Sequence, residues 1–484
     1  MLSEISQGKT LANPSGLPQS TIPGPPPIPF LGWRGNLIRF IRDPIAYMRG
    51  LHKAYGEIAS LVKGEKSMIF AFGQKYNQQI LSNASLFLNA GIVHRGPKNS
   101  ANYRVSLGLL SMNGAQHKRH RNLLMPPFHH KVIPTYYDSI VSLTETMLNR
   151  WTVHPSRDIW YEMKQLTKLI SSKLLFGFDD PSQAYAVADV LENWQNTNIS
   201  PGARLLPYEF PGTPYFRMLR LAEKLEAKIK AMIEERRAHP SELRGDILSI
   251  LIHARHEDGS SLSDEELIGQ TNFLFDASYE TTSNSLSWTF FLLSQHPKIM
   301  SDLYDELEKT LGGNPPSMDQ MNQLPVLDRV IKESMRLLAP PVYSYRVTSE
   351  ATEIGPYAIR KGSTVAFSHY ITHHLSELFP EPEKFLPERW RTLNPSPYAY
   401  LPFGAGAHMC LGMSFAMMTM RIVLAMTLQR YRLTVVPKAR IDRKVLVTLA
   451  PKYGIPVRIQ KQDREFAKSK TKVRGNIHEM VDLE

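Results

Sequence analysis

The spacing of apolar and polar residues along the chain predicts a mainly helical protein. Apolar residues recur at helical spacing over 221–237, and the strongest helical segment starts at Ser263, which forms a capping-box pattern with Glu266. No helix breaker follows before Pro297, so we expect one helix of roughly 33 residues, about 50 Å long. A second helix is expected over 326–338, just before two prolines.

The pattern changes to short strands after the second helix. Residues 343–367 contain two turn signals, Gly355-Pro356 and Lys361-Gly362, which predict strands joined by tight turns. A further helix is expected to begin at Cys410 and to continue towards Tyr431. The predicted fold class is therefore mainly α with small β-sheets.

The ends of the chain differ in composition from the rest. Residues 1–20 are expected to be disordered, and the proline-rich stretch 23–29 either fixes how the chain enters the fold or is a plain linker. We expect a single domain over 21–460, since no internal linker or repeat is visible. Residues 461–484 are mostly polar, which predicts a C-terminal tail.

Composition and charge narrow the possible classes of protein. The 484 residues are 42% hydrophobic and 21% charged, as in ordinary globular proteins, and the net charge is +12. This charge fits a solvated basic surface or a docking face for an acidic protein, whereas no nucleic-acid-binding module is recognisable. No signal peptide or integral membrane anchor is visible, and one cysteine fits a reducing compartment. We therefore expect a cytoplasmic protein.

The lone cysteine, Cys410, is the most informative residue. One thiol cannot form a disulfide within the chain, a cysteine-rich zinc site or an iron–sulfur cluster. It can act as a nucleophile, give one thiolate to a haem iron, or be an inert buried residue. At the start of a predicted helix its thiol pKa is expected to be lowered, and Phe403 can shield the sulfur from water. Glycines that let the backbone approach the sulfur are Gly404, Gly406 and Gly412.

The segment 403–412 has the spacing F-x-x-G-x-[RH]-x-C-x-G. It resembles the haem-binding loop of cytochrome P450 monooxygenases. The resemblance implies the cytochrome P450 fold with a long central helix over haem b. It makes Cys410 the axial ligand of the iron, with Phe403 and Gly406 beside it. His408 stands where the family usually has arginine and is expected to contact a haem propionate.

Two further segments match this family in the expected order. Glu333 and Arg336 form E-x-x-R, which by itself is typical of an ion pair on a helix surface. Arg389 lies in a P-E-R segment, and the resemblance implies a structural charge triad of these three residues.

The predicted long helix carries Ala277 and, four residues later, Thr281, so both face one side. Together with Glu280 they resemble the family's oxygen-activation motif, which implies proton delivery by Glu280 and Thr281. The alternative is a polar pair on an amphipathic helix. Ser278 replaces the usual glycine, which leaves the local helix distortion open. Asp276 can contact a polar group of the substrate or form a salt bridge along the helix.

The resemblance also assigns residues to the haem propionates and to the substrate. His117 and Arg121 match a propionate-binding helix, and Arg346 matches another such position; each by itself is more typical of a basic surface residue, and the assignment rests on their shared order with the other motifs. Segments expected to line the substrate pocket are 86–110, 273–277, 341–343 and 448–450. They are largely apolar, which fits a lipid, terpenoid, steroid or polyketide-like substrate.

The function implied is insertion of one oxygen atom from O2 into a hydrophobic small molecule. No flavin or nicotinamide domain is recognisable, so electrons are expected from a ferredoxin or flavodoxin and its reductase. Two alternatives remain at this point: a peroxide-dependent peroxygenase or isomerase, and a haem-based sensor without turnover.

Overall fold

The structure is a computed structural model that describes residues 21–91, 95–151, 156–239 and 245–483. The predicted disordered segment 1–20 lies outside these residues. The chain divides into two units: the first contains the described residues through Ala90, Pro341–Pro382 and Pro395–His408, and the second contains Gly91–Pro340, Glu383–Asn394 and the chain from Met409.

The helices are α1 Trp33–Arg42, α2 Pro44–Tyr55, α3 Gln74–Ser82, α4 Ala101–Val105, α5 Gly114–Leu124, α6 Tyr137–Asn149, α7 Ile159–Phe176, α8 Pro181–Asn198, α9 Pro201–Leu205, α10 Pro214–Ala238, α11 Ile247–His253, α12 Asp264–Gln295, α13 Pro297–Leu311, α14 Met318–Met321, α15 Pro325–Leu337, α16 His369–His373 and α17 Met413–Arg430.

The strands are β1 Ile58–Ser60, β2 Met68–Ala71, β3 Phe87–Leu88, β4 Arg157–Asp158, β5 Tyr343–Thr348, β6 Thr352–Ile354, β7 Tyr357–Ile359, β8 Thr364–Ser368, β9 Tyr431–Val435, β10 Arg443–Val445, β11 Leu449–Pro451 and β12 Pro456–Lys461. The protein is thus mainly α-helical with small β-sheets, which confirms the predicted class.

The first unit is built on a five-stranded sheet in the order β1-β2-β8-β5-β3. Strands β2 and β8 are parallel and the other neighbours are antiparallel. Apolar residues such as Ile69, Val365 and Phe367 form a core with α3. The proline-rich stretch is bound to β1, since Ser60 donates its backbone N–H to the Pro23 carbonyl over 2.8 Å. It therefore fixes the entry of the chain and is not a free linker.

The second unit is dominated by α12, which confirms the long helix. Its 32 residues start at the predicted capping box, where Ser263 and Glu266 bond each other's backbone N–H reciprocally. Helix α12 packs along α7 and is buried over most of its length because its apolar and hydroxyl residues face neighbours on nearly every side. Helix α15 confirms the second predicted helix and begins with Pro325 in its first turn.

The segment after β12 is folded onto the second unit, so its interpretation as a polar tail needs correction. Phe466, Ile477 and Met480 are buried, and Ile441 donates its backbone N–H to the Arg474 carbonyl over 2.7 Å. The polar composition concealed a few widely spaced apolar residues. These contribute little to a local pattern but suffice to bury an irregular segment.

Two smaller sheets complete the second unit: β10-β11, and β4-β12-β9. Within the ranges described above, no helix combines the length and apolar character that a membrane span requires.

Candidate active site

The loop that leads to the cysteine belongs to the first unit. Gly404 and Gly406 have φ of 69° and 71°, a backbone conformation that favours glycine. A Cβ at Gly406 would lie 2.2 Å from the carbonyl oxygen of Leu81, so any side chain there would force the loop away from α3. Phe403 and His408 are partly buried. The glycine predicted from the motif therefore has a steric reason in this chain.

Cys410 lies in the second unit, just before α17. The helix begins at Met413 rather than at Cys410, which corrects the predicted start by three residues. The thiol has accessible surface and is nevertheless closely surrounded by protein atoms, which raises its pKa. The backbone N–H of Gly412 and the charge of Arg121 act in the opposite direction. The expected net lowering is thus wrong for the protein alone, because desolvation outweighs both.

Helix α5 brings Arg121 close to the cysteine. Its Nη1 donates to the backbone carbonyl of Met409 over 2.8 Å, and burial lowers the pKa of the guanidinium. His117 is one turn earlier on the same face of α5 and is buried, with 4% of its surface exposed. These two residues therefore share a helix face next to the cysteine, as the motif predicts.

Arg346 lies on β5 in the first unit and is only 8% exposed. Its guanidinium lies over the ring of Phe367 at 5.5 Å and donates to the Tyr345 carbonyl over 2.9 Å. Burial lowers its pKa to about 10. Within the described ranges neither Arg346 nor Arg121 has a carboxylate partner. A cation that is wholly or partly withdrawn from water without a protein counter-ion suits an anionic ligand, and this holds for each of the two arginines taken by itself.

The middle of α12 has one accessible face. Between Leu267 and Gln295 every residue is buried except Phe273, Asp276, Ala277, Ser278, Glu280 and Thr281. All of these except Ser278 follow the spacing i, i+3, i+4, i+7, i+8 and therefore lie on one side of the helix. We call these five residues the open stripe of α12. The predicted residues Ala277, Glu280 and Thr281 all belong to it.

Thr281 bonds back into its own helix. Its hydroxyl donates to the Ala277 carbonyl over 3.0 Å, while Ser278 donates to the Phe275 carbonyl over 2.8 Å. Helix α12 nevertheless continues without a break through this segment. With Ser278 in place of glycine, the side-chain hydroxyls thus bond back to the backbone, but the helix is not interrupted.

Glu280 is held by a chain of hydrogen bonds whose direction is fixed. The indole N–H of Trp160, which can only donate, bonds Asn284 Oδ1 at 2.7 Å. The amide nitrogen of Asn284 must then donate to Thr448 Oγ1, at 3.0 Å. The Thr448 hydroxyl is left to donate to Glu280 Oε1, at 2.6 Å. Glu280 Oε1 is therefore the acceptor at the end of this chain.

The triad predicted from E-x-x-R and P-E-R is assembled in the second unit. The Glu333 carboxylate accepts from Arg336 Nε at 3.0 Å and Nη2 at 2.9 Å, and from Arg389 Nε at 3.0 Å. The indole of Trp390 and the backbone N–H of Leu386 donate to it at 2.9 and 3.0 Å. The side chains of Glu333 and Arg336 are both 0% exposed. The local i, i+3 spacing thus belongs to a buried network and not to a surface pair.

Sequence reasoning missed the partners that hold Glu280. Thr448 was expected only as part of a pocket segment, and Asn284 and Trp160 were not singled out. Thr448 is 168 residues from Glu280 along the chain, so no local pattern connects them. A polar Asn284 one turn after Glu280 on the long helix was the one available signal.

A helical fold, a glycine-rich loop leading to a lone cysteine and an acid–alcohol pair on a long helix are together typical of haem-thiolate proteins. A sequence model of the family "Cytochrome P450" matches residues 22–457. The chain belongs to the cytochrome P450 family.

Related proteins agree with this assignment. The chain is 30% identical to cyclooctatin synthase of Streptomyces melanosporofaciens over 87% of its own length and 93% of that protein. It is 29% identical to cyclooctat-9-en-7-ol 5-monooxygenase of the same organism, over 90% and 94%. The structure of retinoic acid-bound cyanobacterial CYP120A1 superposes with a TM-score of 0.80 at 24% identity, over 92% of this chain and 100% of that one. The protein is a cytochrome P450 monooxygenase with haem b as cofactor.

The residues present fit this cofactor. In the second unit, Cys410 offers one sulfur ligand, and the guanidinium of Arg121 nearby suits a propionate of haem. Cys410 and Arg121 are the residues of the second unit that would hold it.

Proposed function

We propose that this protein hydroxylates a largely apolar organic molecule of the terpenoid type, with O2 as oxidant and electrons from a separate redox protein. One oxygen atom enters the substrate and the other leaves as water, which requires two electrons and two protons. Bound haem supplies the activation of oxygen and the oxidation of a C–H bond. The residues of this chain supply protons, orientation and substrate contacts.

The directed hydrogen-bond chain that ends on Glu280 is the observation that carries this proposal. Because Thr448 donates to Oε1, the Glu280 carboxylate is held in place at a partly exposed position of the open stripe. Glu280 then carries a proton from water to the Thr281 hydroxyl, which lies one residue further along the stripe. A peroxide-dependent enzyme needs no such delivery of protons, so this arrangement favours the O2-dependent reaction.

The substrate class rests on the open stripe and on the relatives. Phe273 and Ala277 supply apolar surface on the stripe beside the polar groups of Asp276, Glu280 and Thr281, and a pocket for a large apolar molecule likewise combines apolar surface with a few polar groups that orient the ligand. Both Streptomyces relatives carry names related to cyclooctatin, and one is named as the monooxygenase of an alcohol. A cyclic terpenoid therefore fits best among the classes expected from the sequence.

The redox partner is proposed to be an acidic ferredoxin or flavodoxin. Lys118 on α5 and Lys131 are exposed and lack a carboxylate partner within the described ranges, and Arg121 on α5 lies next to the chain at Cys410. With a net charge of +12, these lysines favour an acidic protein over a neutral one. Charge reversal by Lys118→Glu should slow electron transfer, and the difference should shrink as salt is added.

The first experiment is the absorption spectrum of the purified protein, reduced with dithionite and treated with carbon monoxide. A strongly red-shifted Soret band supports thiolate ligation by Cys410, whereas a band typical of imidazole ligation contradicts it. Turnover of a terpenoid is then compared with an electron-donor system and with hydrogen peroxide. Faster turnover with peroxide would favour the peroxygenase, and a spectrum that no substrate changes would favour a sensor.

A further inference from the structure

Asp276 is an acidic residue on the open stripe that the proposed oxygen chemistry does not use. Its Oδ2 accepts a hydrogen bond of 3.0 Å from Gln195 Nε2 on α8. Its Oδ1 is covered from solvent and has no hydrogen-bond partner among the described residues. Among the described residues Asp276 therefore forms no salt bridge along the helix, which was one of the two expectations. The charged residue that acts on it is Glu280, whose charge has the same sign.

These surroundings determine the protonation state of Asp276. Burial, together with the charge of Glu280, raises its pKa to about 8, so the side chain is a neutral acid at pH 7. Because Gln195 donates to Oδ2, that oxygen serves as the carbonyl. The proton is then on Oδ1, where the protein supplies no acceptor. A buried donor without an acceptor is poised to bind one.

The position of Asp276 on the open stripe determines which kind of ligand can supply the hydrogen-bond acceptor. Phe273 and Ala277 flank Asp276 on the same face of α12, and both are apolar. Asp276 is five residues from Thr281, which corresponds to roughly 7.5 Å along the helix axis. A molecule that lies along the stripe with its reacting carbon near Thr281 can therefore bring an oxygen atom at its other end next to Asp276. Because Oδ1 is covered, the carboxyl group must turn towards the stripe to bond this oxygen.

We propose that Asp276 and Gln195 together form a polar anchor that binds a hydroxyl or carbonyl oxygen of an otherwise apolar substrate. The anchor rests on the proposed function and narrows its substrate class. A neutral oxygen suits it, because the acid donates from Oδ1 and the Gln195 amide can donate when the ligand displaces it from Oδ2. A carboxylate does not suit it, because Glu280 is close and no cation within the described ranges faces Asp276. The site thus selects oxygenated terpenoids over hydrocarbons and over terpenoid acids.

The test compares three molecules with one carbon skeleton: abietadiene, abietadienol and abietate. Each is titrated against the haem-loaded protein, and binding is followed by the substrate-induced shift of the Soret band. A panel of further hydrocarbon–alcohol pairs, aliphatic and cyclic, is treated in the same way. The readout is the affinity for each alcohol relative to its hydrocarbon. We expect the wild-type protein to prefer alcohols by roughly tenfold, the effect of one hydrogen bond.

Three variants isolate the anchor. Asp276→Leu should abolish the preference for alcohols, while Asp276→Asn should retain part of it because an amide can still donate. Ser278→Ala is the matched control: it removes a hydroxyl from the same segment of α12, outside the stripe, and should leave the preference unchanged. The carbon monoxide spectrum of each variant shows that the haem site is intact.

The outcomes separate the anchor from the function on which it rests. If no wild-type alcohol binds better than its hydrocarbon, or if Asp276→Leu keeps the full preference, the anchor is refuted although the thiolate spectrum and turnover remain. If the thiolate spectrum or O2-dependent turnover is absent, the proposed function fails first.

Discussion

Substitution of Glu333 tests whether the buried triad has a structural role. Its carboxylate accepts five hydrogen bonds, three at Oε1 and two at Oε2, and two of the donor groups are guanidinium ions. Glu333→Gln keeps the size of the side chain but replaces one oxygen by an NH2 group. That group must face either the two donors at Oε2 or the three at Oε1. The substitution also removes the negative charge that balances the buried Arg336 guanidinium.

The size of the effect follows from this burial. Loss of one partner of a fully buried ion pair costs about 3–5 kcal/mol in the free energy of unfolding. For a chain of 484 residues the unfolding entropy is about 1 kcal/mol/K, so Glu333→Gln should lower Tm by about 3–5 °C. The yield of folded, haem-containing protein should fall as well.

Glu388→Gln is the matched control, because it makes the same chemical change in the neighbouring P-E-R segment. The Glu388 side chain is 56% exposed and pairs with Arg329 at 3.2 Å, so its loss should cost less than about 1 kcal/mol. Thermal unfolding of both haem-loaded variants measures the difference, and turnover per haem should be unchanged in the fraction that folds. Equal stability of the two variants would refute the argument, as would a stable Glu333→Gln protein that had lost its turnover.

The remaining predictions concern the thiolate, the proton path and the C-terminal segment. Cys410→Ala should abolish the red-shifted carbon monoxide band, and persistence of that band would exclude Cys410 as the ligand. Thr448→Val should reduce the amount of product formed per electron by roughly tenfold, because Glu280 loses a charged hydrogen bond. Thr448→Ser keeps the hydroxyl and should restore this amount. Equal amounts of product per electron in both variants would contradict the proton path. Arg432 lowers the pKa of Asp463 to about 2, whereas the pKa of an unfolded aspartate is near 3.9. The ion pair therefore stabilises the folded protein above about pH 4, and this stabilisation is lost as the pH falls from about 4 to 2. Asp463→Asn should remove that pH dependence at a cost below about 1 kcal/mol, because the carboxylate is partly exposed; an unchanged acid transition by circular dichroism would argue against it.

The local features of this chain could be predicted from the sequence because they depend on neighbouring residues. The capping box at Ser263 and the long periodic segment after it predicted α12 to within a few residues. The same holds for the turns of the 343–367 region and for the i, i+3 pair of Glu333 and Arg336. The lone Cys410 in its motif was sufficient to indicate a haem protein. Each of these signals lies within a few positions along the chain.

The tertiary structure decided which distant groups meet. Gln195 and Asp276 are 81 residues apart, and their contact exists only because α8 and α12 both pack against α7 and α10. Thr448 reaches Glu280 in the same way, and the segment after β12 folds onto the second unit through a few scattered apolar residues. Packing also determined the protonation states, since the pKa of Asp276 and of Cys410 depends on how much water the surrounding chain excludes. Residue type and spacing thus determined the fold class and the kind of cofactor, whereas burial and long-range contacts determined how the individual groups of the site are charged and held.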